Sequence, residues 1–414
     1  MSAERAVGSA VGRERFEELR WQWERPVPLR YLLVGEERDG GQLLLARCSD
    51  VDGLFVEGPA PEELVLEACS PTGRLLKAIR RAEREPVRLG TLNLTAEFPC
   101  DHPNSYDGWA IQYWDLHEVV VHGSEPNGSD PDLLDVRITG LVAGPFGGSL
   151  TPDPDGEPEG LELSIDDDGT GRTGVCRRIP GLYLERPRRA GPPLRLVGCE
   201  PAEQLALQLA RPRAGSDPAG PMTVELWPVD RDGTVVRTRD RLDLEIVEAR
   251  PSVLGGGLLD VQLREGPASP PRPAVEPVWR AWRRGAGRER NGWAAFDTEG
   301  REEWLQFVRV VEPAAAGGVG HLDGRYVTDL PGLRCAVGEA LAGPGQQVSL
   351  CWNLPHGCSC TSLLFPEPFT LVWHDADVAR RALAEGRLDA VPEGDYFTSA
   401  VRMLERAGMT VELR

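Results

Sequence analysis

Cys351, His356, Cys358 and Cys360 fall within ten residues and carry side chains of the kind that bind zinc. Structural zinc sites draw their ligands from C-x2-4-C pairs separated by a longer span, and this spacing is too compact for that arrangement. Asp166-Asp167-Asp168-Gly169 has the opening of a calcium loop, but no glutamate stands at the twelfth position. Cys100, Asp101 and His102 are the nearest approach to a nucleophile beside a base. The remaining histidines, His117, His122, His321, His356 and His374, are scattered. No G-x-S-x-G, phosphate-cradling Walker loop, H-E-x-x-H or strand-to-helix G-x-G-x-x-G occurs. The expectation is a protein without catalytic activity, cofactor or resident metal.

Trp279, Trp282, Trp293 and Trp304 lie among arginines in the block 278–311. Aromatic rings interleaved with cations can stack nucleic-acid bases. The chain, however, has 65 acidic against 46 basic residues and a formal net charge of −19. That balance disfavours polyanions, so no direct nucleic-acid partner and no anionic membrane surface is expected. The block is read instead as a small packed adaptor whose rings bury against a neighbouring domain.

With 414 residues there is length for roughly two to four domains of ~150 residues. No apolar run approaches the ~20 residues that cross a bilayer, and the charged N-terminal stretch lacks the apolar core of a secretory signal. Nine cysteines, an odd and scattered count, do not form a disulfide framework. A cytoplasmic location is expected on these grounds.

Pro/Gly-rich stretches at 144–160, 265–277 and 312–320 read as linkers and leave four blocks, 28–143, 160–264, 278–311 and 320–414. The first two repeat one another. Cys48-x4-Gly53-Leu54-Phe55-Val56-Glu57 returns as Cys176-x4-Gly181-Leu182-Tyr183-Leu184-Glu185. Leu64-x-Leu66-x2-Cys69-x-Pro71 returns as Leu194-x-Leu196-x2-Cys199-x-Pro201, and Leu133-Leu134-Asp135-Val136 as Leu258-Leu259-Asp260-Val261. A period this long implies two copies of a whole domain rather than a solenoid. Asp39-Gly40 and Asp168-Gly169 mark hairpins, and 71–82 and 201–212 read as helices with proline in the first turn. Alternation over 223–229, 242–249 and 258–263 reads as strands. The expectation is an α+β, mostly antiparallel fold for each copy, each able to fold alone.

The last block reads β-α-α-β-α-α-β. Thr328 or Asp329 caps a helix carrying Leu333, Val337 and Leu341, ended by Gly343-Pro344-Gly345. FTLVW (369–373) is a buried strand, a helix follows, and Phe397, Val401 and Leu404 mark the last helix before the strand MTVELR. The stretches LDG-x-x-VTDLPGL-x-x-A-x-GEA-x-x-GPG (322–345) and PFTLVWHDADVARRAL (368–383) resemble the barstar family, protein inhibitors of barnase-type ribonucleases. The resemblance covers 320–414 and implies a small α/β domain with a three-stranded parallel sheet.

It also implies a partner, a ribonuclease or toxin-like protein, and an immunity-type role. Asn353 and Leu354 stand where the family has its Asn-Leu, Cys360 at its cysteine and Trp373 at the tryptophan of the next strand. Trp352, Asn353, Leu354 and His356 are therefore the candidate partner-binding residues. The family's two inhibitory aspartates are replaced by Pro355 and Ser359, and 341–366 carries no charged residue. A non-inhibitory protein-interaction scaffold, in which the domain has lost its acidic face, is the alternative expectation.

Overall fold

The computed structural model describes residues 19–36, 41–57, 60–99, 109–146, 160–165, 172–182, 191–210, 222–236, 241–267, 270–311, 318–348, 369–384 and 396–414. The chain is mixed α/β and mostly antiparallel, with a closed six-stranded barrel, a seven-stranded sheet and a smaller parallel sheet. Four strands form two hairpins. β1 (Tyr31–Glu36) and β2 (Gln42–Asp52) are antiparallel across Asp39-Gly40, as are β7 (Leu161–Ile165) and β8 (Arg172–Cys176) across Asp168-Gly169. Both turns themselves lie outside the described residues.

Between these hairpins run β3 (Glu62–Pro71), helix α1 (Gly73–Ala82), β4 (Val87–Pro99), β5 (Trp109–Pro126) and β6 (Leu134–Phe146). After them come β9 (Arg195–Pro201), α2 (Glu203–Ala210), β10 (Met222–Pro228), β11 (Arg241–Leu244), β12 (Ile246–Pro251) and β13 (Leu259–Leu263). The barrel has the cyclic order β4-β7-β8-β3-β6-β5, and the sheet the order β11-β10-β1-β2-β9-β13-β12. Each therefore draws strands from both sequence blocks. The hairpin of block 28–143 sits at the centre of the sheet built by block 160–264, and the hairpin of block 160–264 closes the barrel built by block 28–143. The linear boundaries are not the boundaries of the sheets, because spacing along the chain says nothing about which strand lies alongside.

With β11 and β12 together set against β5, the six-strand cyclic order parallels the seven-strand order, and some local backbone features recur. Gly53 and Gly181 follow the hairpins with φ of 84° and 81°. Ala68 and Gly198, each one residue before a buried cysteine, adopt φ of 48° and 59°. Ala68 N donates to Asp135 Oδ1 at 2.9 Å and Gly198 N to Asp260 Oδ1 at 3.0 Å. Those aspartates are the ones in the repeated Leu-Leu-Asp-Val runs. A left-handed residue turns its N–H out of the ladder, and the aspartate, half-buried at Asp135 and buried at Asp260, takes up the donor that would otherwise be unpaired.

Two details differ from the sequence expectation. Pro71 and Pro201 end strands rather than beginning helices. The expected strand 242–249 is broken at Glu245 into β11 and β12. By contrast β5 is continuous and pairs with both β4 and β6 in the closed barrel. In the sheet the two edge strands, β11 and β12, are consecutive in sequence, separated by Glu245 alone.

Helix α1 buries Leu75, Ala78, Ile79 and Ala82, one face at helical spacing, in the barrel core with Leu66, Leu92, Leu94 and Trp114. Its N-terminus is satisfied from the β7–β8 hairpin: Leu75 N donates to Thr173 Oγ1 at 3.3 Å, and that hydroxyl donates to Thr72 O at 3.2 Å. Thr173 is 1% exposed.

The block 278–311 forms α3 (Glu276–Arg283), α4 (Thr298–Phe307) and β14 (Arg309–Val311). The C-terminal block forms β15 (Gly318–Asp323), α5 (Leu330–Ala342), β16 (Gln346–Val348), β17 (Phe369–His374), α6 (Ala376–Ala382), α7 (Tyr396–Arg406) and β18 (Met409–Leu413). β15, β17 and β18 make a three-stranded parallel sheet with β17 in the centre, and β14 pairs in parallel with β16. Asp329 caps α5 by accepting from Gly332 N at 2.7 Å, with Leu333, Val337 and Leu341 buried as the spacing predicts.

Two outcomes are expected. An isolated 160–264 segment lacks β1 and β2, the centre of its sheet, and should melt without cooperativity by circular dichroism, correcting the expectation that each copy folds alone. Replacing Thr173 with Val should remove the cap on α1 and lower stability by about 1–2 kcal/mol, read as a lower denaturant midpoint.

Candidate functional site

The four partner-binding candidates, Trp352, Asn353, Leu354 and His356, lie outside the described residues, as do Cys351, Pro355, Cys358, Ser359 and Cys360. Their segment runs between β16 and β17. Both flanks are fixed: Val348 is buried beside β14, and Phe369 begins the central parallel strand. Trp373, read from the resemblance, is fully buried and packs on Phe397 with ring centroids 5.0 Å apart. Cys100, Asp101, His102 and the 166–169 acidic run are also outside the described residues.

The tryptophan block proves to be a packed joint. Trp279, Trp282, Trp293 and Trp304 are all buried, so no ring is free to stack on a base. Trp279 meets Phe55, which follows β2, edge-on at 5.4 Å, and Phe307 at 5.0 Å. Arg283 Nη1 donates to Tyr31 Oη at 3.1 Å, and burial pushes the Tyr31 hydroxyl up to about 12. On the other side Trp293 Nε1 donates to Glu339 Oε2 at 3.0 Å. One apolar core thereby runs from the seven-stranded sheet through the tryptophans into the C-terminal sheet.

Charged groups fasten the same joint. Arg301, 6% exposed, lies over the Trp293 ring at 5.4 Å and donates to Asp329 Oδ2 and Thr328 Oγ1 at 2.8 and 2.7 Å. Asp329 thus caps α5 with one oxygen and pairs with Arg301 through the other. A buried guanidinium needs such a partner, since removing either member would leave an uncompensated charge.

A polar cluster collects where β15 and β17 end and meet the joint. Carboxyl ends of parallel strands are where open α/β sheets place their ligands. Asn291 N donates to both oxygens of Glu339 at 2.9 and 3.0 Å, and Asn291 Nδ2 to Asp323 Oδ2 at 3.0 Å. Arg325 clamps Asp323 through Nε and Nη2 at 2.9 and 2.6 Å. His321 and His374 stack with centroids 5.3 Å apart, and His321 Nδ1 lies 3.0 Å from His374 Nε2. Asn291 and Asp375 both adopt left-handed backbone, φ 58° and 51°, a conformation these two residue types tolerate. The cluster pairs its own charges and contains no nucleophile beside a base. Among the described residues no group of three or more His, Cys, Asp or Glu side chains is placed to hold a metal ion.

Sequence reasoning named His321 and His374 only as scattered residues and missed Arg301, Asn291 and Glu339. The available signal was a glutamate on the apolar side of α5, three residues after buried Ala336. No protein-family model matches the chain, and no curated protein or solved structure is significantly similar to it.

The carboxylates of this cluster shift in opposite directions. Hydrogen bonds from Arg325 hold Asp323 below its ordinary value, whereas burial raises Glu339. A raised Glu339 binds its proton more tightly folded than unfolded. Its contribution is full below the unfolded glutamate value of ~4.3 and is lost as pH rises through the folded value. Asp323 has the opposite sign: its contribution is present above ~3.9 and lost as pH falls through its depressed value. Glu339→Gln should therefore flatten the fall in stability above about pH 4.3, while leaving the acid-side loss due to Asp323. Thermal melts of both proteins across a pH series check this.

Proposed function

We propose that this is a non-enzymatic, protein-binding chain whose residues 320–414 form a barstar-like domain, engaging a barnase-type ribonuclease or toxin domain through the segment bearing Trp352, Asn353, Leu354 and His356. The observation that carries the reading is the parallel order β15-β17-β18 with α5 after the first strand and α6 and α7 between the last two. It is the architecture that the motif resemblance in 322–345 and 368–383 leads one to expect. The anchored ends of β16 and β17 would present the intervening segment from a rigid base, which lowers the entropy lost on binding.

The two upstream units belong to the same reading. We infer that barrel and sheet are two copies of one β-fold that have exchanged their first hairpins. The matching strand orders and the paired Ala68–Asp135 and Gly198–Asp260 contacts support this. Fused to the C-terminal domain through the tryptophan joint, they would hold it in a fixed setting.

A second reading, a scaffold that binds other proteins without inhibiting a ribonuclease, is favoured by the continuity of that joint. A core that runs unbroken from the seven-stranded sheet to the C-terminal sheet makes the domain part of a larger body.

Charge separates the two. Residues 341–366 are uncharged and 320–414 nets −4, so there is little field to steer a basic enzyme. Inhibition and association rate of a barnase-type ribonuclease should be measured over a salt series with the full chain and with a Pro355→Asp, Ser359→Asp variant. The natural chain should associate with weak salt dependence, and the variant on the order of tenfold faster at low salt. Tight, strongly salt-dependent inhibition by the natural chain would place the contact surface elsewhere. Absence of binding by both would leave the scaffold reading.

A further inference from the structure

The exchange of hairpins brings cysteines from the two sequence blocks face to face. β2 and β9 pair with Cys48 directly opposite Cys199, both fully buried thiols. Ala202 N donates to Leu45 O at 2.8 Å. Counting from that bond, the antiparallel alternation makes Cys48 and Cys199 a non-hydrogen-bonded pair. Such pairs hold their Cα atoms about 4.5 Å apart, inside the roughly 4.4–6.8 Å that a disulfide spans. The Cys199 thiol donates to Cys48 Sγ at 2.9 Å.

The barrel repeats the arrangement. β3 and β8 pair through Ser70 with Val175 and Pro71 with Gly174. One step further along that register Cys69 faces Cys176, and both are buried. Thr72 N donates to Thr173 O at 2.7 Å, which gives this pair the same non-hydrogen-bonded parity. In each unit the pair joins the exchanged hairpin to the body that receives it.

We propose that Cys48 and Cys199 are a disulfide-forming site, with Cys69 and Cys176 its counterpart, so that oxidation staples each exchanged hairpin to its host sheet. The oxidant is a low-molecular-weight disulfide acting by exchange. One protein thiolate attacks a sulfur of the small disulfide and expels a small thiolate. The second protein thiolate then attacks the protein sulfur of the mixed disulfide and expels the other. Two protein S–H bonds and one small S–S bond give one protein S–S bond and two small thiols, which carry the two protons.

Access sets the rate. Burial, together with the neighbouring Cys48 and Asp260, pushes the Cys199 thiol well above its ordinary value, and thiolate is the attacking species. Exchange therefore proceeds through opening of the β2–β9 ladder, and the same closed ladder shields the finished bond from reductant.

The test uses the full chain held in a glutathione disulfide and thiol mixture, acid-quenched, alkylated and mapped by mass spectrometry. A linked Cys48–Cys199 peptide is expected, with two fewer titratable thiols after unfolding than the nine of the reduced chain, and four fewer where Cys69–Cys176 has also closed. Low denaturant should raise the rate of linkage, and the melting temperature of the oxidised protein should shift upward. Cys48 and Cys199 remaining alkylatable under a glutathione ratio that fully oxidises the unfolded chain would overturn the proposal. Linkage of either residue to a different cysteine would overturn it too. The mapping is done on the natural sequence, so it does not depend on a variant folding, and it is independent of any ribonuclease binding.

Discussion

Strand pairing across the two sequence blocks is the constraint on which the rest of the structure depends. A central antiparallel strand needs partners on both sides for its N–H and C=O groups, because a buried backbone group left unpaired is costly. β2 obtains one partner from its own hairpin and the other from β9, while β8 obtains its second partner from β3. Neither unit can complete its ladder alone. The barrel closes, whereas the seven-stranded sheet keeps two edge strands, β11 and β12, joined in sequence through Glu245.

The tryptophan layer translates that body into a platform for the C-terminal domain. Its rings supply apolar area on two sides at once, facing Phe55 and Tyr31 in one direction and α5 in the other. Ring N–H groups that would be stranded in such a core are partly taken up by carboxylates, Trp279 by Glu303 and Trp293 by Glu339. Arg301 and Asp329 then fix the angle of α5, because one aspartate serves both a helix cap and a buried cation. The polar cluster at the strand ends is held in place by this fixed geometry.

Local elements were legible in the sequence, and their neighbours were not. Leu333, Val337 and Leu341 marked the buried stripe of α5, Thr328 or Asp329 its start, and FTLVW (369–373) a buried strand. The two Leu-Leu-Asp-Val runs contain the aspartates that accept from Ala68 and Gly198. Periodicity reports which face of an element is buried and stays silent on what lies beside it, which is why 28–143 and 160–264 read as separate bodies. The acidic net charge of the chain pointed to burial of the tryptophans, but the carboxylate and guanidinium partners come from distant positions with no pattern linking them. Glu339 and Arg301 could be recognised only as charges in places where apolar neighbours predominate.

Pairing between strands so far apart in sequence also bears on how the chain is made. Cys48 and Cys199 are 151 residues apart, so β2 leaves the ribosome long before the strand that flanks it. At about 5–20 residues per second, the interval is roughly 8–30 s. During that time the first hairpin has no sheet to enter, and β3 to β6 must wait for β7 and β8 before their barrel can close. Assembly is thus ordered by translation: the barrel can complete first, and only afterwards does the synthesis of β9 and β10 give the oldest strands of the chain their place.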